Sequence, residues 1–214
     1  MDVSMNNRYN LSAAKGFSMM EILVTMIIIM VGLLGIVALQ AKAVQAELES
    51  YQRSQALIML NDIVDRMNIN RQTVLNCFAF TTDTDVGTPF IGAAGTGHLG
   101  APSCAASTSN YNTLADDALN ELDDLLKGAQ EAIDVGGETQ YAGGIVDARA
   151  CISYDSTTEL DGVSGTGLYT VVLSWQAMSE LIVPAANCGN GLYGTEARRR
   201  AVSTTLRFAV LRGS

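Results

Sequence analysis

Residue types that commonly carry catalysis or bind metals are sparse in this sequence. His98 is the only histidine among the 214 residues, which leaves too few nitrogen ligands for most metal sites. We find no phosphate-binding loop, nucleophile elbow or dinucleotide fingerprint. Serines and carboxylates are abundant, but without a base beside them they are weak candidates for nucleophilic catalysis. We therefore predict that the chain is not an enzyme and binds no cofactor or metal.

One acidic stretch faintly resembles a calcium-binding loop. Asp83, Asp85 and Gly87 have the spacing with which such a loop begins. No acidic residue follows at the position where an EF-hand needs its last ligand. The sequence therefore favours an ordinary loop, rich in Gly, Ser and Thr, over a calcium site.

The chain is acidic, with a formal net charge of −9. Phosphate binding needs clustered Lys and Arg, so this charge argues against nucleic acid as a partner. The one basic cluster, Arg198 to Arg200, lies at the approach to a predicted strand. We interpret it as a solvated flank of that strand.

The four cysteines, Cys77, Cys104, Cys151 and Cys188, form no close-spaced pair of the zinc or thioredoxin kind. An even number of cysteines after an export segment is typical of disulfides in an oxidising compartment. Three pairings are possible, and buried free thiols are the alternative. We favour Cys77 with Cys104 and Cys151 with Cys188, because each bond then closes one loop-rich half of the domain.

The longest apolar stretch runs from Ile22 to Leu39, where Thr25 is the only polar side chain. About 20 helical residues cross the hydrocarbon layer of a membrane, so this run predicts a spanning helix. Glu21 stands at its start. An ionisable group at the edge of a membrane segment is costly and usually marks a function and a partner. The alternative is a plain signal-anchor with Glu21 among the lipid head groups.

The residues around Glu21 resemble the processing site of type IV prepilins and type II secretion pseudopilins. In that family a polar leader ends in Gly, Phe usually follows, and Glu is the fifth residue of the mature chain. Gly16, Phe17 and Glu21 fit this pattern. Ser18-Met19 replaces the usual Thr-Leu. Farther along, Gly32-Leu33-Leu34-Gly35 followed by Leu39-Gln40 resembles the minor pilins of type IV pili.

This resemblance implies how the chain is processed and where it acts. Prepilin peptidase would cut between Gly16 and Phe17 and the new amine of Phe17 would be methylated, while Glu21 would act in assembly. The implied partners are other major and minor pilins, the peptidase, the inner-membrane assembly platform and, before assembly, membrane lipid. The implied location is the inner membrane, with a single span and the head in the periplasm, and then the pilus at the cell surface.

We divide the chain into three parts on these grounds. Residues 1–16 are the cytoplasmic leader that is removed, residues 17–41 form the transmembrane and filament-core helix, and residues 42–214 form the extracytoplasmic head. The head includes the second half of the long helix. Cleavage before the apolar segment, rather than after it, would leave that helix on the mature protein.

Hydrophobic periodicity predicts a long helix from about residue 18 to 71, whose second half packs onto the head through one stripe. That predicted stripe consists of Val44, Leu48, Tyr51, Ile58, Met59, Ile63 and Met67. A second helix is predicted from about Leu114 to Ile133, starting at a capping box formed by Thr113 and Asp116. Its predicted buried face is Leu114, Leu122, Leu125, Ala129 and Ile133, with Asp116, Asp117, Asp123 and Asp124 in solvent.

In the last third of the sequence, apolar and polar residues alternate as they do in β-strands. This pattern predicts strands at 150–154, 168–175 and 201–212. Strands separated by turns suggest an antiparallel sheet. We therefore predict an α+β, pilin-like fold in which a long N-terminal helix packs on the sheet and disulfides hold the loops. Three functions fit this prediction: a structural filament subunit of a pilus or a type II secretion system, an adhesin on that filament, or an anchored periplasmic binding module that does not polymerise.

Overall fold

The computed structural model describes residues 16–128, 132–136, 138–141 and 145–209. The chain divides into two compact units, with the boundary between Ala46 and Glu47. Helix α1 spans Met19–Ile69 and contributes to both units. This confirms the long helix predicted from hydrophobic periodicity. Most of the predicted leader lies outside the described residues.

The second unit contains all the other elements. A π-helical turn spans Val74–Phe78, and helix α2 spans Ser109–Lys127. The strands are β1 (Ile91–Gly92), β2 (Ala132–Val135), β3 (Glu138–Tyr141), β4 (Arg149–Asp155), β5 (Leu168–Gln176) and β6 (Arg199–Arg207). Two 3-10 turns span Ser156–Thr158 and Glu196–Arg198.

Four of these strands form one antiparallel sheet in the order β1-β4-β5-β6, and β2 and β3 form a separate hairpin. Strand β5 is central and pairs along its whole length with β6, from Leu168 opposite Arg207 to Gln176 opposite Arg199. The antiparallel sheet beside a long helix confirms the predicted α+β, pilin-like architecture.

The main core lies between this sheet and the helices. Alternate residues of β5 are buried on the helix side, as the sequence pattern predicts: Tyr169, Val171, Leu173 and Trp175. Apolar side chains of both helices join them in one cluster: Ala56, Leu60, Ile63 and Met67 from α1, and Leu119, Leu122 and Leu126 from α2. Burial of this apolar surface is the main force that holds the helices on the sheet.

The opposite face of the sheet is also covered, here by loops rather than by helices. Cys151 of β4 and Val172 of β5 are neighbours in register and form a second cluster with Phe90 and Cys188. The centre of strand β5 is therefore buried on both faces, which explains why Val171, Val172 and Leu173 are consecutive apolar residues.

The predicted packing stripe of α1 is partly wrong. Met59, Ile63 and Met67 are buried, but Leu48, Tyr51 and Ile58 are exposed within the second unit. A long helix whose apolar residues recur at steps of three and four offers more than one stripe that fits the pattern. Contact with the sheet selects the stripe that contains Ile63.

Helix α2 begins and ends earlier than predicted. It ends at Lys127 because Gly128 adopts φ 76° and its N–H bonds to the carbonyls of Asp124 and Leu125. Glycine takes this left-handed conformation without the steric penalty that other residues pay, so it terminates the helix. The predicted end, Ile133, lies in β2 instead.

The predicted capping box is also wrong. Thr113 lies inside the helix, where its hydroxyl donates to the carbonyl of Ser109 at 3.0 Å. Asp116 instead accepts a 2.7 Å hydrogen bond from the backbone N–H of Cys104. Its carboxylate therefore holds the loop before α2, and not the start of the helix.

Candidate anchoring and assembly surfaces

In the first unit, α1 presents its apolar side chains to solvent on all sides. Every large apolar residue from Ile22 to Leu39 is exposed, although this stretch is as apolar as a buried core helix. Within the described part of the chain, α1 is the one helix long and apolar enough to cross a membrane, judged by length and composition. An apolar patch of this size requires a covering environment.

The one polar side chain in this stretch is satisfied within the helix itself. The hydroxyl of Thr25 donates to the carbonyl of Ile22 at 2.9 Å. In a helix the backbone groups are likewise bonded internally, which is what a lipid environment requires. Nothing between Ile22 and Leu39 therefore opposes burial in lipid or among other apolar helices.

Two glycines interrupt this apolar surface. A Cβ added at Gly32 or Gly35 would meet no atom within 4 Å from the described residues beyond the adjacent helical backbone. The fold of the single chain therefore does not require these glycines, and each lowers helix propensity by about 1 kcal/mol relative to Ala in water. Two roles fit these glycines: they allow a neighbouring helix to approach closely, or they mark a point where this helix deforms more easily.

The three residues of the predicted processing site lie at the very start of the described chain. Gly16 and Phe17 precede the helix, and the Phe17 side chain is 82% exposed. Glu21 is exposed in the first turn of α1, where a negative charge is favoured by the helix dipole. Among the described residues, no side chain bonds to its carboxylate. Glu21 is thus available to a partner outside this chain.

Two disulfides hold the second unit together. Cys77 is bonded to Cys104, and Cys151 is bonded to Cys188, the same pairing that the sequence favours. The first bond ties the π-helical turn to the loop before α2, and the second ties β4 to the loop before β6. Closing loops of this size contributes roughly 3 to 4 kcal/mol each in the chain-entropy account.

Asp123, which the sequence places in solvent, is buried and connects three segments. Its carboxylate accepts from the backbone N–H of Gly92 at 2.7 Å and from His98 Nε2 at 3.0 Å, and it forms an ion pair with Lys127. His98 Nδ1 accepts from the N–H of Gly100 at 3.0 Å, which places the ring proton on Nε2. The only histidine therefore has a structural partner at each nitrogen.

The prediction of a solvated basic flank holds for Arg198, which is exposed, and is wrong for the other two arginines of the cluster. Arg199 is 1% exposed, and its guanidinium donates to Glu196 Oε2 at 2.5 Å and to the carbonyl of Ala186. Arg200 donates to the carbonyl of Ser179 at 2.9 Å. These side chains hold the loop between β5 and β6, so they are not a free phosphate-binding surface.

A second buried arginine supports the loops on the far face of the sheet. The Arg149 guanidinium lies 5.4 Å from the ring centre of Phe90 and 4.8 Å from that of Tyr193. Burial alone would lower its pKa, but hydrogen bonds to Asp147 and Tyr193 raise the pKa of Arg149 above its ordinary value. It therefore remains a cation at every physiological pH.

The acidic loop that resembles the start of a calcium site is closed by its own backbone. Asp83 Oδ1 accepts from the N–H groups of Asp85 and Val86, both at 3.0 Å. Within the described ranges, no group of three or more His, Cys, Asp or Glu side chains could hold a metal ion. The aspartate caps a turn.

A cavity of about 500 Å³ lies between the end of α1 and the end of the sheet. Arg71 is the one charged residue among the described residues that line it. Burial raises the pKa of Tyr169, which lies at its base. A phenol with a raised pKa does not act as a base near neutral pH, so this lining has no group placed for acid–base chemistry.

We expect the Asp123→Ala variant to lose about 2 to 3 kcal/mol of unfolding free energy, because it leaves the buried N–H of Gly92 without an acceptor. Chemical unfolding can be followed by the fluorescence of Trp175, the only tryptophan and a core residue. Asp124→Ala removes the next, exposed carboxylate and is the matched control. Equal stability of the two variants would contradict a structural role for Asp123.

Part of the chain is similar to a known protein family. A family model described as type IV pilin Tt1218 matches residues 38–88, about a quarter of the chain. This range covers the second half of α1 and the first disulfide-bonded turn, and it does not include Gly16 to Glu21. No curated protein and no solved structure matches the chain. Over this range the chain is similar to type IV pilins, and this similarity accords with the apolar N-terminal helix.

Proposed function

We propose that the chain is a minor pilin of a type IV pilus that takes part in pilus assembly and initiation, and that it resembles the pilus modification protein PilV. The observation that carries this proposal is the placement of Glu21 at the start of an apolar helix that its own chain leaves uncovered. The family match supports the pilin part, and the residues from Gly32 to Gln40 favour the minor-pilin part. The role is structural rather than catalytic.

Assembly then begins with processing. Prepilin peptidase removes residues 1–16, the amine of Phe17 is methylated, and the head stays outside the inner membrane until the assembly platform takes up the subunit. The apolar helix moves from lipid into the filament, where other pilins cover it. Both environments are apolar, so the transfer requires no rearrangement of the satisfied backbone groups.

Glu21 provides the specific contact in this scheme. A carboxylate buried among apolar helices needs a partner that offsets its desolvation. Lys15 is lost with the leader, whereas processing creates a positive amine at Phe17. A neighbouring subunit, shifted along the filament axis, brings its amine to Glu21. Removal of the leader therefore couples processing to assembly.

The experiment that tests this function is mass spectrometry of the protein purified from membranes and from sheared pili. We expect one mature chain that begins at Phe17, carries one added methyl group and is present in both fractions. An intact Met1, or cleavage after residue 40, would contradict the pilin proposal. A correctly processed chain that is missing from pili would instead favour a secretion pseudopilin or an anchored module that does not polymerise.

A further inference from the structure

The loop that follows β5 presents a group of aliphatic side chains to solvent. Four large apolar residues within it are exposed, and Ile182 is 91% exposed. We call this group the apolar loop; it consists of Met178, Leu181, Ile182 and Val183. Single exposed apolar residues are ordinary, but four on one short loop indicate an interaction surface.

The exposure of these side chains is built into the fold, because the loop is held at several points. The N–H groups of Ala177 and Leu181 donate to the carbonyls of Arg198 and Ala197, both at 2.8 Å. Ser179 bonds through its N–H and its hydroxyl to the carboxylate of Glu49 on α1. A loop fixed in this way does not turn its apolar side chains inward.

The charges near the apolar loop are paired. Arg200 lies 3.9 Å from Glu49 and also donates to Ser179, and Arg198 lies 3.5 Å from Glu180. The loop therefore offers apolar surface without a net charge of either sign. Its partner should be apolar and neutral rather than an anionic or cationic surface.

The chain also limits how far the loop can be from a membrane. Glu49, which holds Ser179, stands ten residues after Leu39, the last residue of the apolar stretch. Even a fully extended chain of ten residues spans at most about 35 Å. The head residues around Glu49 therefore lie no farther than this from a bilayer that contains the apolar stretch.

The size of the surface argues against a stable protein interface. Such an interface buries about 800 Å² on each side. A large aromatic side chain buries only about 150 to 250 Å², and the four aliphatic side chains of the apolar loop are smaller than that. Together they therefore offer less area than one side of a stable protein interface. A lipid surface does not have to match the shape of the loop, and a few aliphatic side chains can insert at its boundary.

We propose that the apolar loop docks on the bilayer that holds the N-terminal helix, with Ile182 inserted among the lipids. This inference rests on the proposed membrane anchoring of residues 17–41. It adds a second lipid contact that orients the head before assembly and is released when the subunit leaves the membrane.

Photocrosslinking of the full chain in phosphatidylcholine vesicles tests the proposal. The probe is p-benzoylphenylalanine, placed by Ile182→p-benzoylphenylalanine on the loop and by Leu160→p-benzoylphenylalanine as a matched control. Leu160 is exposed as well, and it lies near the opposite end of β5. We expect about tenfold more lipid adduct at position 182 than at position 160. Burial of one aliphatic side chain out of water is favoured by about this factor. Adding phosphatidylglycerol or salt should leave this yield unchanged.

A third probe, Ile28→p-benzoylphenylalanine, separates the loop from the anchor. Lipid adducts at position 28 with none at 182 would overturn loop docking while leaving the anchor in place. Adducts at neither position would overturn the anchoring and the inference together. A crosslink from position 182 to a second copy, or to another pilin, would show that the loop is a protein interface and would also overturn the proposal.

Discussion

The Gly16→Trp variant is expected to accumulate as the uncut precursor. If Gly16 and Phe17 flank the scissile bond, an indole on the first of them crowds the peptidase at the bond it must cut. We expect the fold to tolerate the substitution, because a Cβ added at Gly16, which precedes α1, meets no atom of the described chain within 4 Å. Loss of processing would therefore report on the peptidase and not on misfolding.

Gel mobility and the mass of the membrane-bound protein measure this outcome. Met19→Trp is the matched control: it adds the same ring three residues later, at a position that is 90% exposed. We expect the control to be processed and Gly16→Trp to remain almost entirely uncut. Wild-type mobility of Gly16→Trp would contradict the assigned cleavage site.

Loss of the Glu21 carboxylate is expected to stop assembly without stopping membrane insertion. Glu21→Ala makes the helix start more apolar, so insertion and cleavage should be largely preserved. If Glu21 pairs with the Phe17 amine of a neighbouring subunit, as proposed, the same change leaves that amine buried without its partner. Breaking a buried pair typically costs about 3 to 5 kcal/mol, so incorporation into pili should fall by at least about tenfold.

The amount of this subunit in sheared pili, divided by the amount in membranes, measures that effect. Glu21→Gln keeps the size of the side chain and removes only its charge, and we expect it to fail like Glu21→Ala. Glu47→Ala removes another exposed carboxylate of α1, outside the apolar stretch, and should assemble normally. Normal incorporation of Glu21→Ala would reduce Glu21 to a residue among the lipid head groups.

The features that the sequence alone determined are those set by local pattern. The apolar run from Ile22 to Leu39, which contains no charged residue, specifies a helix suited to lipid whatever the rest of the chain does. The pattern from Tyr169 to Trp175 specifies a strand and the set of apolar residues that share one of its faces, because successive side chains point to opposite sides. The Gly16, Phe17 and Glu21 pattern is also local, so the proposed processing and assembly residues could be predicted without a structure.

Only the tertiary structure decided which of several similar residues in the sequence becomes buried. Aspartates follow one another along α2, and nothing local distinguishes Asp123, whose burial depends on Gly92 and His98 from distant parts of the chain. The same holds for Arg199, which is buried by carbonyls of a loop that precedes it by 13 residues. The stripe of α1 that faces the sheet, and the exposure of the apolar loop, likewise depend on long-range contacts. A buried polar group needs a hydrogen-bond partner, and that partner can come from a distant part of the chain. Residue spacing along the chain does not show which partner it will be.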